Sequence, residues 1–526
     1  MLRSNFITLT QNSSATLQAR IHTIPVLITL LFGGAFRFFN LGSESYWVDE
    51  IIMLQLAGDN IATLMAHLVE SGRPPVYVLA THVWVQTFGT AETVTRALSA
   101  LFSTAALITM YAVGRELFSK KVALVGTFLM ALSGYQIFYA QELRYYSLFV
   151  LFTLLSFFAF IRFLRQKNLI TALFFSFTTV LMFYTHAYGL FVIAAQGLAF
   201  LLFWPRERRF IALWGLSQVL IAAAITPILL KMFVMVGNQG GPMNWMSLPR
   251  PYEPIITVYR YLFGYDARLT PTELAVGLAF LLLGMLGFIR WKGLRHWLGS
   301  VRNSIPALRN QLNQKQALTI TGLWLLFPLL LPFALSFVLG PMFLGRYSIG
   351  ATPALYLLLA VGIVSVRNIV PLGITMGTAA VLMTPGLYSY YTHDLQEQWR
   401  DVAEYIEGHE QPGDMIVFTR SLNDMIPASL RWYYQGDLPQ CVMRDQVAGD
   451  DPAIYQDMER CTHDSQRFWL IERHWSTPYT HYVTTEFLEK HHTTFVKIDE
   501  QQFTRVTVYL LQTPAFGSDT QEVVSD

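Results

Sequence analysis

Residues 96–133 read RALSALFSTAALITMYAVGRELFSKKVALVGTFLMALS, two apolar runs joined by a turn that carries Arg115, Lys120 and Lys121. A helix that crosses a bilayer needs about 20 mostly apolar residues, and each run approaches that length. Lys and Arg concentrate in the cytoplasmic loops of membrane proteins. The segment therefore predicts a pair of transmembrane helices whose connecting turn faces the cytoplasm.

The composition of the whole chain favours the same class of protein. Of the 526 residues, 53% are hydrophobic and 14% are Asp, Glu, Lys or Arg, whereas soluble domains average about 25% charged residues. The net charge of +2 gives no basis for binding nucleic acid. The 2 cysteines are too few for a disulfide framework or a Cys-rich metal site. A multi-pass membrane protein is the class that fits.

Apolar runs of spanning length recur as far as Tyr390. We predict roughly eleven transmembrane helices, at 21–40, 93–116, 122–138, 146–164, 169–184, 187–204, 210–232, 272–289, 317–338, 347–366 and 369–390. Segment 73–89 is apolar but short, and it begins with two prolines. If it does not cross, the later basic clusters share the side of Arg3 and Arg20, which places the N-terminus in the cytoplasm.

The acidic residues divide the chain into two parts, because most of the 35 Asp and Glu follow Asp394. We predict a transmembrane domain at 1–391 with a long first outer loop at 41–92, and a small extracytoplasmic α/β domain at 392–515. In that domain, strands are predicted at 415–419, 468–471, 494–498 and 505–511, and helices at 396–410, 423–434, 452–461 and 478–491. Residues 516–526 predict a disordered tail.

The two cysteines, Cys441 and Cys461, both fall in the predicted extracytoplasmic domain. In an oxidising exterior they fit a disulfide, and they fit a pair of reduced core cysteines about equally well. Both alternatives stay open at this point.

Asp49 and Glu50 are the first candidates for chemistry. They lie in SYWVDE directly after the first predicted span, beside Tyr46 and Trp47, whose side chains suit a membrane–water boundary. Adjacent helical residues do not share a face, so at most one carboxylate points into a given pocket. The alternative is a helix start, with the acids as cap and first-turn residues.

A second group of candidates lies on the predicted outer face of the membrane. Arg73, Arg144 and Arg346 depart from the positive-inside pattern, and outer-face arginines are what a phosphate-bearing lipid needs as partners. The alternative is snorkelling toward headgroups. Glu142 in the same short loop as Arg144 predicts either a pocket residue or a mutual ion pair that anchors the loop.

The remaining candidates are polar and aromatic. The predicted pocket residues are Glu142, Tyr145, Tyr146, His186, Tyr188 and Tyr347. His186 has no second His or Cys at metal-ligand spacing, so no metal site is predicted, and a divalent cation stays an open alternative. Ion pathways place ionisable groups within the bilayer. Here the polar residues lie at the span ends, which indicates chemistry on a lipid headgroup at the outer boundary.

An ordered series of motifs carries a family resemblance. It runs through WVDE at 47–50, GRPPVYVLATHVWVQTFG at 72–89, the segment 96–133, YQIFYAQELRYYSLFVLFTLLSFFAF at 135–160, YTHAYGLF at 184–191 and Gly-Arg-Tyr at 345–347. With these motifs the chain resembles the polytopic GT-C glycosyltransferases of the protein O-mannosyltransferase and aminoarabinose-transferase superfamily, which are family 39-like. The resemblance is strongest over the first 200 or so residues.

The resemblance implies transfer of a sugar from a polyprenyl-phosphate donor to an acceptor on the extracytoplasmic face. It implies Asp49, paired with Glu50, as the catalytic base, and Arg73 and Arg346 as contacts of the carrier phosphate. Segment 141–146, QELRYY, matches the loop that borders the donor pocket of the family.

Physical chemistry agrees with this assignment. A sugar on a phosphate already carries a good leaving group, so transfer needs a base for the acceptor and fixed positive charge for the phosphate. Arg144 adds to that charge. Direct displacement by the acceptor inverts the anomeric centre. The acceptor stays open among protein, lipid and glycan.

Other classes of function remain as alternatives. A transporter or flippase of lipid-linked glycans would use the same arginines and need no base. A sensor or scaffold that presents the α/β domain would leave the carboxylate and the arginines unexplained. In each case the predicted location is the plasma (inner) membrane, with the bilayer as a partner.

Overall fold

The computed structural model describes residues 23–203, 205, 207–239, 246–265, 312–365, 369–419, 425–444, 450–463, 465–474 and 482–513. Its contacts separate into two compact units. The helical unit comprises Met1–Leu41 and Leu56–Thr392, and the α/β unit comprises Gly42–Gln55 with His393–Asp526. The segment that carries Asp49 and Glu50 therefore groups with the C-terminal part of the chain, although it was predicted as part of a continuous loop, 41–92, in the membrane domain.

Apolar helices build the helical unit. They are α1 (Thr23–Phe38), the end of α2 (Val48–Gly58), α3 (Ile61–Ser71), α4 (Val76–Phe88), α5 (Glu92–Leu117), α6 (Lys120–Leu132), α7 (Gly134–Ala140), α8 (Tyr146–Gln166), α9 (Leu169–Thr185), α10 (Gly189–Leu202), α11 (Arg208–Gln239), α12 (Glu253–Phe263), α13 (Gln314–Leu339), a 3₁₀ helix (Gly345–Ala351), α14 (Thr352–Val364) and α15 (Ile369–Thr392). Helix α5 packs on α6 and α8, α8 packs on α9, and α10 packs on α13.

Several of these helices have the length and composition of membrane spans. Among the described residues, 5 helices qualify, or up to 6 if the bent pair α6–α7 counts as one span. Helices α1, α3, α9 and α10 are apolar but shorter. The chain is thus mostly helical with several potential spans. The predicted number of spans stays a prediction, and the predicted span at 272–289 lies outside the described residues.

The span predicted at 122–138 is broken into two helices that meet at Ser133. Helices α6 and α7 are bent by 63° relative to each other. The Ser133 hydroxyl accepts a hydrogen bond from the backbone N–H of Gln136 at 3.2 Å and so caps α7. A Cβ on the following Gly134 would lie 3.2 Å from the backbone of Gly386, so the bend brings two chain segments close together. A search for apolar runs does not detect such a break, because the residues on both sides of Ser133 are apolar.

Segment 73–89, which was predicted not to cross, forms the short helix α4. Its 13 residues extend about 20 Å at 1.5 Å per residue, which is less than the hydrocarbon thickness of about 30 Å. Tyr77, Val78, Thr81 and Val85 form a buried face, while Val83 is exposed. These features fit a helix that lies along a surface.

The α/β unit is built on a mixed five-stranded sheet. Its strands, β1 (Met415–Phe418), β2 (Gln440–Val442), β3 (Arg467–Arg473), β4 (Val496–Phe503) and β5 (Val506–Gln512), lie in the order β2-β1-β3-β5-β4. Strand β1 pairs in parallel with β2 and β3, and β5 pairs antiparallel with β3 and β4. The helices are the start of α2, α16 (Trp399–His409), α17 (Met425–Tyr433), α18 (Asp451–Thr462) and α19 (Leu488–Lys490).

Alternation along the strands explains why both faces of the sheet are covered. Ile416 and Phe418 belong to one buried core, and Val417 between them belongs to the other. The predicted strands at 415–419, 468–471 and 505–511 overlap β1, β3 and β5, whereas the strand predicted at 494–498 begins before β4 and ends five residues short of its end, Phe503. Strand β2 was not predicted, because three residues are too few to show an alternating pattern. The predicted tail, 516–526, lies outside the described residues.

The open question about the cysteines is answered by the structure. Cys441 on β2 and Cys461 on α18 form a disulfide. Cys461 is buried in one of the two cores, and Cys441 is partly buried against it. The bond therefore ties an edge strand to a core helix.

Candidate functional site

The loop that follows α7, residues 141–145, is held in place by hydrogen bonds from the surrounding helices. The Gln141 side-chain amide donates to the carbonyls of Phe36, Arg37 and Phe39 at the end of α1, at 2.7–3.1 Å. The Ser99 hydroxyl of α5 contacts the carbonyl of Arg144 at 3.3 Å. Such bonds fix the backbone from which the side chain of Arg144 projects.

A buried arginine supports this arrangement and was not predicted as a site residue. Arg37 is 0% exposed. Its guanidinium donates to the Ser103 hydroxyl at 2.7 Å and to the carbonyls of Gly33, Met130 and Ala131 at 2.8–3.3 Å. Because its N–H groups are satisfied by α1, α5 and α6, we interpret Arg37 as a structural residue that joins these helices.

The structure brings Arg144, Tyr145, Tyr146, His186, Tyr188, Arg346 and Tyr347 together, and we call this set the arginine–tyrosine cluster. The ring of His186 lies 4.8 Å from that of Tyr145 and 5.0 Å from that of Tyr347, centroid to centroid. The guanidinium carbon of Arg144 lies 4.8 Å from the centre of the Tyr145 ring. That of Arg346 lies 5.8 Å from the centre of the Tyr347 ring. Two cations therefore flank one histidine, each stacked on its own tyrosine.

The histidine at the centre of the cluster is neutral. Burial, and then the positive charges of Arg144 and Arg346, lower the pKa of His186 to about 3. Its Nδ1 accepts a hydrogen bond from the backbone N–H of Tyr188 at 3.0 Å, which leaves the proton on Nε2. The positive charge of the cluster thus belongs to the arginines.

Arg346 owes its position to contacts on both sides of the 3₁₀ helix in which it lies. The Tyr188 hydroxyl donates to the carbonyl of Met342 at 2.6 Å and fixes the segment before that helix. A Cβ on Gly345 would lie 2.7 Å from Thr257 Oγ1, so only glycine fits this approach. The Ser348 and Tyr261 hydroxyls share a hydrogen bond of 2.6 Å beyond Arg346.

The cluster contains a buried hydroxyl, that of Tyr146. The residue is 0% exposed, and its hydroxyl has no hydrogen-bond partner among the described residues. Leaving a buried polar group without a partner costs about 1–3 kcal/mol. Since the Tyr146 ring lies 4.8 Å from that of Tyr145, a ligand oxygen bound in the cluster would relieve that cost. Glu142, in the preceding loop, is also buried.

Arg73 shares none of the contacts that the structure describes within the arginine–tyrosine cluster. It is exposed in the turn between α3 and α4, where it makes no hydrogen bond, ion pair or ring contact with any described residue. The preceding Gly72 ends α3 in a left-handed conformation with φ of 60°, and a Cβ there would lie 2.8 Å from the Lys231 side chain of α11. Arg73 is therefore a surface cation near a lysine.

In the α/β unit, the structure distinguishes Asp49 from Glu50. Helix α2 begins after Trp47, whose carbonyl accepts the first intrahelical hydrogen bonds. The Glu50 carboxylate is 0% exposed and accepts a hydrogen bond from the backbone N–H of Trp47 at 3.4 Å. The helix-start interpretation is thus confirmed for Glu50. Asp49 lies in the first turn and is half-buried.

Glu397 is a buried acid beside the start of α2 that sequence reasoning did not single out. Its carboxylate is 1% exposed, and it accepts hydrogen bonds from the Val48 backbone, the Trp399 indole and Arg473. Nothing in the local pattern around Glu397 distinguishes it from the surface acids of an amphipathic helix. Among the described residues, no group of three or more His, Cys, Asp or Glu side chains is arranged to hold a metal ion.

Comparison with known proteins gives one family match. Residues 72–230 match the family described as dolichyl-phosphate-mannose-protein mannosyltransferase. This range contains α4 to α10, and with them Arg73, Arg144 and His186. A search of curated protein sequences finds no match.

Solved structures match over nearly the whole chain. ArnT from Cupriavidus metallidurans, in the apo state, has a TM-score of 0.51 at 14% identity, over 94% of this chain and 98% of that one. The archaeal oligosaccharyltransferase AglB from Archaeoglobus fulgidus, in complex with an inhibitory peptide and a dolichol-phosphate, has a TM-score of 0.52 at 12% identity, over 96% and 75%. The same organism's oligosaccharyltransferase tethered to an acceptor peptide has a TM-score of 0.50 at 14% identity, over 93% and 74%.

These matches define the class, which is the GT-C fold of membrane glycosyltransferases. Within that class, the family match and the structural matches confirm the resemblance to the protein O-mannosyltransferase and aminoarabinose-transferase superfamily. Together with the apolar helices, they indicate a membrane protein whose fold is similar to those of these glycosyltransferases.

Proposed function

We propose that this chain transfers a sugar from a polyprenyl-phosphate donor to an acceptor on the extracytoplasmic face, with inversion. The observation that carries the proposal is the arginine–tyrosine cluster, in which Arg144 and Arg346 flank the neutral His186. A similar fold has been solved with a dolichol-phosphate. A phosphate fits the cluster because it is an anion that binds guanidinium groups by charge-assisted hydrogen bonds.

The proposed chemistry is a single displacement. The acceptor oxygen or nitrogen forms a bond to the anomeric carbon while the bond from that carbon to the phosphate oxygen breaks. The acceptor proton passes to the carboxylate of Asp49, and the bonding electrons leave with the phosphate. Because the phosphate gains a negative charge in this step, Arg144 and Arg346 bind it more tightly as the reaction proceeds, which lowers the barrier.

Asp49 is the proposed base because Glu50 has another task. The Glu50 carboxylate is buried and accepts the Trp47 N–H, so a proton there would weaken the start of α2. The resemblance assigns the base to the position of Asp49, which is half-buried. Arg73 stays the proposed further contact of the carrier phosphate. We also keep the proposed domains, 1–391 in the membrane and 392–515 outside.

An assay in detergent solution distinguishes a transferase from the alternative function, a flippase. A flippase does not change its lipid substrate chemically, and a micelle has no second leaflet to which the lipid could move. We expect the purified protein, given a panel of polyprenyl-phosphate sugars and a membrane extract as the acceptor source, to release free polyprenyl phosphate. Mass spectrometry of the lipids measures that release. Unchanged donor in micelles, together with transport of the same donor in vesicles, would establish the flippase instead.

The disulfide provides a test of the proposed orientation. Disulfides persist in oxidising compartments outside the cytosol. In intact cells, we expect a membrane-impermeant maleimide to label Cys441 only after treatment with an impermeant reductant. The Cys441→Ser/Cys461→Ser variant is the unlabelled control. If Cys441 is labelled only after the cells are permeabilised, and is labelled without any reductant, the α/β unit lies in the cytosol.

A further inference from the structure

The segment 44–48, which precedes the proposed base, is held by residues of the C-terminal part of the α/β unit. The carboxylate of Glu44 accepts a hydrogen bond from the backbone N–H of Leu395 at 2.5 Å. The Ser45 hydroxyl donates to the carbonyl of Glu397 at 2.6 Å. The backbone N–H of Tyr46 donates to the Tyr433 hydroxyl at 2.6 Å. Three successive residues are thus fixed by hydrogen bonds.

The Glu397 side chain extends this attachment to the start of α2. Its Oε2 accepts the Val48 N–H at 3.4 Å and the Trp399 indole N–H at 2.7 Å. Its Oε1 accepts Arg473 Nε at 2.6 Å and lies 2.6 Å from Nη2, a two-point ion pair. With its carboxylate 1% exposed, Glu397 is a buried hub between the segment and strand β3.

Helix α2 needs this hub because it lacks an ordinary N-cap. A good N-cap residue offers a side-chain oxygen to the first free N–H groups of the helix. Trp47 occupies that position and has none. The N–H groups of Trp47 and Val48 are instead accepted by Glu50 and Glu397. Negative charge at a helix N-terminus is also favourable through the helix dipole.

We propose that Glu397, held by Arg473, is a positioning residue that sets the direction in which Asp49 points. Asp49 follows Val48 directly in the first turn of α2, so fraying of that turn displaces its carboxylate. The inference rests on the proposed role of Asp49 as the base. It gives the α/β unit a task in transfer, namely to hold the segment that carries the base.

The chain contains a matched control for Glu397 in the same unit. Asp414 is 2% exposed and pairs with Arg467 at 3.3 Å. It accepts the Trp469 indole N–H and the Gln411 backbone N–H, both at 3.0 Å. Asp414 makes no hydrogen bond to 42–55 among the described residues. The two acids therefore share burial, an arginine and an indole, and differ in their contact with the segment.

The test compares Glu397→Gln with Asp414→Asn in the purified full-length protein. We expect both variants to lower the melting temperature, because each leaves an arginine without its ion-pair partner. Only Glu397→Gln is expected to lower kcat, by about 100-fold, since a displacement near 1 Å is enough for such a loss. The KM for the donor should stay unchanged. Deuterium uptake should rise in the peptide that contains Val48 in Glu397→Gln alone.

A second pair of variants covers the case in which Glu397→Gln does not fold. Tyr433→Phe removes the hydroxyl that accepts the Tyr46 N–H, without a change in charge. Tyr434→Phe is its control, because the Tyr434 hydroxyl contacts Glu410 and Leu438. We expect faster exchange in segment 44–48 and a lower kcat for Tyr433→Phe only.

The outcomes separate this inference from the proposed function. An active Asp49→Asn variant would refute Asp49 as the base, whatever exchange the Glu397 variant shows. If Asp49→Asn is inactive, the inference is overturned by a Glu397→Gln enzyme with wild-type kcat. It is equally overturned by an Asp414→Asn enzyme whose kcat falls as far.

Discussion

Asp49→Asn is expected to abolish sugar transfer and to leave the affinity for the lipid-linked donor intact. Asparagine has the same shape as aspartate but cannot take a proton from the acceptor. Loss of a general base lowers rates by about 10²–10⁴-fold. The measurements are the rate at which the purified protein consumes a polyprenyl-phosphate sugar and the dissociation constant of that donor.

Two other acids, one in α2 and one directly after it, serve as controls. Asp59 follows the end of α2 and is half-buried, like Asp49, so Asp59→Asn should keep wild-type activity. Glu50→Gln should act mainly on folding, because Glu50 accepts the Trp47 N–H. Weakening a helix start lowers the free energy of unfolding by about 0.5–2 kcal/mol. Full activity of Asp49→Asn, or an equal loss in Asp59→Asn, would contradict the assignment of the base.

Local pattern explains the parts of the fold that the sequence predicts. Apolar runs near 20 residues identify α5, α8 and α13, and short apolar runs identify β1, β3 and β5, because each feature lies within one stretch of chain. Reading apolar runs does not detect the bend at Ser133, since the residues on both sides of the bend are apolar. It does not detect strand β2 either, because the strand is too short to show a pattern.

Contacts between distant residues explain what the sequence does not predict. Val48 and Glu397 are 349 residues apart, and no period or composition connects them. Residues 42–55 were therefore assigned to the membrane domain by proximity along the chain, whereas they group with the α/β unit. The structural role of Arg37 was not predicted because its partners on α5 and α6 are also distant along the chain.

The arginine–tyrosine cluster was accessible from sequence for a different physical reason. Its members come from three loops, at 144–146, 186–188 and 346–347, and each loop was chosen because it lies at the predicted outer end of a span. The predicted topology puts the ends of these spans at one level, which gives a reason to expect contacts among them, and the crossing of a bilayer by these helices stays a prediction. Arg73, which lies inside the predicted outer loop 41–92, makes none of the ring contacts that unite the others among the residues that the structure describes.

Removal of either arginine of the cluster is expected to be the second large effect. Arg346→Met and Arg144→Met should each lower kcat/KM by about 10²–10³-fold, the usual loss for one group that stabilises developing negative charge. Both variants should also lose the preference for free polyprenyl phosphate over the uncharged polyprenol in a binding assay. Replacement by lysine should recover part of the activity, because the charge remains while the two-point geometry is lost.

Arg250→Met is the matched control for this pair. Arg250 donates a hydrogen bond to the Tyr252 hydroxyl at 2.7 Å and lies 5.9 Å from the centre of that ring. Arg144 likewise donates to the Tyr145 hydroxyl, at 3.3 Å, and stacks on its ring. Arg250 is exposed, so the change to methionine should leave transfer unchanged. A loss of activity in this variant equal to that of Arg144→Met would show that any arginine stacked on a tyrosine matters, and not the cluster.

Melting temperature distinguishes a binding role of the arginines from a structural one. Burial and the positive charges of Arg144 and Arg346 lower the pKa of His186, which shows that both arginines act on the centre of the cluster. If the arginines bind the phosphate, Arg144→Met and Arg346→Met should lose binding of polyprenyl phosphate in molecules that remain folded below the melting temperature of each variant. A large drop in melting temperature with unchanged binding of polyprenyl phosphate would instead make the arginines part of the scaffold and refute the proposed phosphate site.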